Sequence, residues 1–118
     1  TKAIALAVLG RVLLFMGYPE RASMSCEAAI RQARQLAHAP TIAQCLAFAA
    51  AQASALGNGT HLAQCIQELR ALTQEHGYPQ WSALVPIFDG QLQLMRGEAG
   101  AAVTLLRQGL DARRATGR

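Results

Sequence analysis

The sequence predicts an all-α fold: three antiparallel helix pairs stacked side by side. Three observations predict it. A glycine-centred phrase recurs evenly, with Gly17 in LFMGYPERA (14–22), Gly57 in ALGNGTHLA (55–63) and Gly97 in LMRGEAGAA (94–102). A second punctuation keeps the same beat: HAP at 38–40, HGYP at 76–79 and ATG at 115–117. The segments between are rich in alanine, the best helix former, and none outside the turns has the β-branched alternation of a strand.

The first helix runs from Lys2 to Met16. Ile4, Ala5, Val8, Leu9, Val12, Leu13 and Met16 give it a wide apolar face, and only Lys2 and Arg11 are charged. So few polar positions predict a helix covered on more than one side. Gly17-Tyr18-Pro19 breaks it, because glycine suits the left-handed position past a last turn and proline suits a first turn. The second helix, about Pro19 to Ala37, buries Ala22, Cys26, Ala29, Ile30, Ala33 and Leu36. After the His38-Ala39-Pro40 turn, the third helix spans Thr41 to Leu56 without one charged residue, which predicts an inner position. Thr60 is the expected N-cap of the fourth helix, His61 to His76, with Leu62, Cys65, Ile66, Leu69 and Leu72 inward.

The fifth helix, Gln80 to Met95, carries Trp81, Leu84, Val85, Phe88 and Leu92. Pro86 predicts a delayed start or a kink there. Gly90, like Gly109 in the sixth helix (about Glu98 to Ala115), predicts close approach of a neighbouring backbone, because mid-helix glycine costs about 1 kcal/mol against alanine. Shifting the chain by 40 aligns Val8, Phe48 and Phe88; Ala5, Cys45 and Val85; Cys26, Ile66 and Leu106; and, less well, Ile30, Arg70 and Leu110. The charge at Arg70 suggests a local rotation of the fourth helix. The units are about 1–38, 39–78 and 79–118, in one repeat domain. Short connections make neighbouring helices antiparallel, and such hairpins stack because none buries its apolar face alone.

Composition bounds the function. The net charge of +4 is spread along the chain among acidic residues, which predicts a solvated helical surface and no direct nucleic-acid partner. Three cysteines without a CxxC pattern argue against a disulfide framework and fit a reducing, cytoplasmic setting. No apolar run reaches the length of a membrane span. The abrupt start and finish suggest a piece of a larger polypeptide.

The stretch Gly77 to Gly117, the turn Gly17-Tyr18-Pro19-Glu20-Arg21-Ala22, the ARQLA ending at Ala37, LLRQGL at 105–110 and RATG at 114–117 resemble the tetratricopeptide-like region of large bacterial signalling proteins. There, a cyclase or DNA-binding regulator domain is joined to a predicted ATPase module and then to helical repeats. The resemblance covers nearly the whole chain. It implies a right-handed superhelix of helix pairs, with a 40-residue period in place of the usual 34 or so. It also implies a regulatory or assembly role, with any cyclase, ATPase or transcription-regulating module elsewhere in the parent. Gln91 departs from the pattern, since a tryptophan often follows the equivalent of Gly90.

No residue constellation supports catalysis, a cofactor or a metal. His61 and Cys65, four apart, are a two-ligand start without the remaining ligands. Asp89, the only acid of its helix, is expected to face water. If the first helices of the pairs line a concave side, Arg11, Gln44, Gln52, Trp81, Asp89 and Gln91 are the candidate binding residues, with Tyr18 or Tyr78 beside them. The expected partner is a protein or another domain of the same polypeptide; the alternative is a small effector in the groove. Apolar end faces also predict self-association as a homodimer.

Overall fold

A computed structural model of the chain describes residues 2–77 and 79–115, all of whose regular structure is helical. The helices are α1 (Lys2–Phe15), α2 (Pro19–Leu36), α3 (Ala39–Ala55), α4 (Gly59–His76), α5 (Pro79–Ser82), α6 (Leu84–Met95) and α7 (Ala99–Ala115). Tyr78 and the Thr116–Gly117 end of the third ATG punctuation lie outside the described residues. The sequence places these helices closely, with three corrections.

First, Asn58, not Thr60, caps α4: its side-chain oxygen accepts the His61 N–H at 3.2 Å. Second, α3 starts at Ala39, with His38 at the N-cap and Pro40 inside the first turn, where its missing N–H is no loss. Third, the expected fifth helix is two helices. Pro86 cannot donate to the Ser82 carbonyl four positions back, and the chain breaks at Ala83 between α5 and α6.

The three glycine phrases fold into the same motif. Tyr18, Asn58 and Glu98 donate to Leu13, Ala53 and Gln93, while Gly17, Gly57 and Gly97 donate to Leu14, Ser54 and Leu94. This Schellman arrangement needs a left-handed residue, and the glycines supply φ of +87°, +70° and +78°. At the second punctuation Gly77 (φ +67°) is matched one repeat earlier by Ala37 (φ +52°), the one non-glycine residue with positive φ among the described residues. A left-handed alanine is strained by about 1 kcal/mol. Ala37→Gly is therefore expected to raise stability by about 0.5–1 kcal/mol, read as a higher urea midpoint at unchanged slope.

Within the first and third pairs, contacts run in opposite directions along the two helices. Ser25 Oγ donates to the Leu6 carbonyl at 2.6 Å, and Gly10 faces the Ala22 carbonyl and Cys26. In the third pair Ile87 meets Gly109, and Gly90 meets Leu106 and the Ala102 carbonyl. Ala22 and Cys26 stand to Gly10 in the chain as Ala102 and Leu106 stand to Gly90, so the two crossings use the same repeat positions. The uncharged α3 is central, touching α1, α2, α4 and α6. The main core joins Cys26, Leu46, Ala50, Leu62, Ile66, Leu69, Phe88 and Leu92 around it. A smaller, alanine-built cluster (Ala3, Ala7, Ala29, Ala33, Cys45) joins α1 to α2 and α3.

Helix α1 departs most from expectation. Its buried residues are small (Ala3, Ala7 and Gly10), whereas Val8, Leu9, Val12, Phe15 and Met16 are exposed. It is covered on one side, not several. Arg70 also differs. Its guanidinium pairs with Asp89 on α6 at 3.3 Å, while Leu62 and Ile66 are buried as their counterparts Ala22 and Cys26 are. The α4 register is kept, and an ion pair accounts for the charge that sequence reading assigned to a rotation.

The radius of gyration is 13.9 Å, against about 13.3–13.5 Å for a globular chain of this length. No helix among the described residues is long and apolar enough to cross a membrane.

Candidate functional site

Helices α1, α3 and α5 meet on one face. Arg11 of α1, Gln44, Ala47, Phe48 and Ala51 of α3, and Trp81 of α5 line a depression of about 260 Å³. Beside it, Ala7, Arg11, Leu14, Phe15, Phe48, Ala51, Gln52 and Ala55 enclose a smaller pocket of about 150 Å³. Arg11 joins the two. Its guanidinium carbon lies 5.9 Å from the Phe15 ring centre and 6.0 Å from that of Phe48, within reach of a cation–π attraction to both. Trp81 is half-buried, with part of its ring against the main core. The walls are therefore aromatic and alanine, with one cation between them.

Of the six sequence candidates, the structure brings Arg11, Gln44 and Trp81 together around this depression. Gln91 is the α6 counterpart of Ala51 and Arg11 in the repeat register, and its Oε1 is buried without a hydrogen-bond partner among the described residues. Gln52 and Asp89 turn mostly toward the preceding pair. Gln52 accepts from Cys26 Sγ at 2.9 Å and donates to Ser23 Oγ at 3.5 Å; only its flank reaches the small pocket. Asp89 is 22% exposed and paired with Arg70, so it does not simply face water. Tyr18 stacks with Arg21, whose guanidinium lies 5.4 Å from the ring; Tyr78 lies outside the described residues. Phe15 and Phe48 are the aromatic lining residues that sequence reading missed. Phe15 follows Arg11 by one helical turn, which was a signal in the sequence. Phe48 stands on another helix, and spacing alone could not bring its ring to the same cation.

No described group of three His, Cys, Asp or Glu side chains could hold a metal ion. His61 Nε2 and Cys65 Sγ are 3.8 Å apart, and the thiol stays protonated. Burial pushes Cys65 up to about 12 and Cys26 up to about 11, and raises Cys45 as well. All three are free and buried, so they behave as small core residues rather than nucleophiles. Unfolding releases thiols with the ordinary value of 9.0. Between pH 9 and about 11 the unfolded state thus loses protons that the native state keeps, and stability falls as pH rises through that window. At pH 8 the cysteines are expected to resist a disulfide reagent until urea unfolds the chain; rapid labelling of the native protein would contradict this burial.

Against protein-family models, curated proteins and solved structures, the chain gives no match. The face described above is therefore read on its own chemistry.

Proposed function

We propose that the chain is a tetratricopeptide-like stack of three helix pairs. In this reading it is a non-catalytic module holding a segment of another protein, or of its own parent polypeptide, in the α1–α3–α5 groove. The threefold Schellman turn and the Gly10 and Gly90 crossings support the repeat plan. The superhelical handedness and the place in a bacterial signalling or transcription-regulating protein come from the resemblance, and the cytoplasmic setting from the cysteine pattern.

The observation that carries the reading is the meeting of Arg11, Phe48 and Trp81 around one open depression. Aromatic and arginine side chains around a partly buried centre make a binding hot spot. The chemistry suits an acidic side chain flanked by an apolar one, the acid toward Arg11 and the apolar group against Phe48 and Trp81. A small effector fits less well. Each of the two hollows, about 150 and 260 Å³, is below the 300–1,000 Å³ or so usual for small-molecule sites.

Trp81 is the single tryptophan, so its emission reports on the groove directly. Titration with a library of acidic–aromatic peptides, and with the remainder of the parent polypeptide, is expected to shift it. Arg11→Glu or Trp81→Ala should weaken the selected ligand by about tenfold or more, about 1.4 kcal/mol. For Trp81→Ala the readout is calorimetry. A ligand indifferent to both substitutions would move the binding site elsewhere.

A further inference from the structure

Helices α1 and α7 carry matching surfaces. Positions 9 and 12 of α1 correspond, in the repeat register, to 49 and 52 of α3 and to 89 and 92 of α6. In α3 and α6 this face meets the second helix of the preceding pair: Gln52 bonds Ser23 and Cys26 of α2, and Asp89 pairs with Arg70 of α4. Ala49 and Gln52 are accordingly 1% and 7% exposed. Their α1 counterparts, Leu9 and Val12, are 47% and 45% exposed, with Ala5 and Val8 beside them. Phe15 and Met16 do not belong to this face, because Leu56, the α3 counterpart of Met16, is exposed too, and Ala55, that of Phe15, is also exposed.

At the other end, positions 103, 106 and 110 of α7 correspond to 23, 26 and 30 of α2 and to 63, 66 and 70 of α4. In α7 they are Val103, Leu106 and Leu110. With Arg107, Asp111 and Arg114 they line an open depression of about 410 Å³.

The chemistry of the two sides changes together from one junction to the next. Between the first and second pairs, Ser23 and Cys26 meet Gln52, polar on both sides. Between the second and third, Arg70 meets Asp89, and Ile66 and Leu92 share the apolar core. At the ends, the same register sets Leu110 opposite Leu9, and Val103 and Leu106 opposite Val12, apolar on both sides. We propose that α7 of one copy docks on α1 of a second copy, in the register that α2 uses on α3 and α4 uses on α6. The contact is heterologous. It leaves one open α1 and one open α7, so it adds copies in a row instead of closing a pair. It goes beyond the groove reading, since Gln44 and Trp81 take no part. Arg107 and Arg114 approach a helix that itself carries Lys2 and Arg11, so added salt strengthens the association.

Sedimentation velocity of the 118-residue chain from micromolar to millimolar concentration tests it. The average mass should climb past that of a dimer, and further at high salt. Leu9→Asp and Leu110→Arg should each weaken association by about tenfold or more, because each sets a lone charge against an apolar partner. An equimolar mixture of the two variants should recover it, since the introduced carboxylate and guanidinium then face each other as Asp89 and Arg70 do. Both positions are half exposed, and circular dichroism confirms that each variant folds. A chain that stays monomeric overturns the proposal, as does a dimer that goes no further and is sensitive to only one substitution, or a mixture that does not recover. Monomers that instead capture a synthetic helix of the α4 sequence on α1 would assign that face to a further repeat unit rather than to a second copy.

Discussion

Leu62→Ala is expected to lower the unfolding free energy by about 3 kcal/mol, the middle of the range for a buried leucine. Leu62 is fully buried in the main core. Alanine is what the first and third pairs hold at this position, as Ala22 and Ala102, yet those pairs do not predict tolerance. Opposite Ala22 and Ala102 stand Gly10 and Gly90, which let the two backbones close up. In the middle pair the counterpart is Ala50, whose methyl keeps the backbones apart, and α3 approaches α4 at fewer places than α1 approaches α2. Leu62 fills the space thus left, and alanine would leave a cavity that the helices cannot close. A domain of this size has about 5–15 kcal/mol in all. The loss should appear as a much lower urea midpoint with little change in slope; a shift under about 1 kcal/mol would mean that the middle pair collapses as the outer two do.

The second large effect belongs to Gly109. A methyl added there would overlap Ile87 Cγ1 and lie 3.1 Å from the Ile87 backbone nitrogen. Gly109→Ala gains about 1 kcal/mol of helix propensity but forces the two helices apart, an overpacking of about 1–3 kcal/mol. The expected net loss is therefore up to about 2 kcal/mol. The repeat names the compensating change. Gly109 corresponds to Leu69 and Ala29, and Ile87 to Ala47 and Ala7. Where the first helix has alanine, the second tolerates alanine or leucine; where it has isoleucine, the second has glycine. In an Ile87→Ala background, Gly109→Ala should therefore become neutral or stabilising. The double-mutant cycle should show a coupling of about 1 kcal/mol or more, and strict additivity would show that the two residues do not share the space.

The helices were legible because turn chemistry and alanine content act locally. Gly17, Gly57 and Gly97 announce the same Schellman turn, and Pro19 and Pro79 mark where the next helix begins. Asn58 was missed in favour of Thr60 because both are good caps and the choice depends on which carbonyl starts the ladder. The Ala83 break was half legible: Pro86 demanded a disruption near Ser82, and the fold makes it a break between two helices rather than a kink in one. The exposed side of α1 was not legible, since apolar periodicity gives the orientation of a face and not whether anything lies against it. Gln52 and Asp89 looked like groove residues for a related reason. A polar side chain on an apolar helix can serve a ligand or the neighbouring helix, and here Ser23, Cys26 and Arg70 take them.

The main helix contacts join elements adjacent in the chain or separated by one helix. Few native contacts therefore require the closure of a long loop, which favours fast folding. The central helices α3 and α4 are packed from both sides, whereas the outward side of α1 is open. A ligand bridging Arg11 and Trp81 would therefore tie α1 to α5 across the central α3, fixing the outer helix to the middle of the stack.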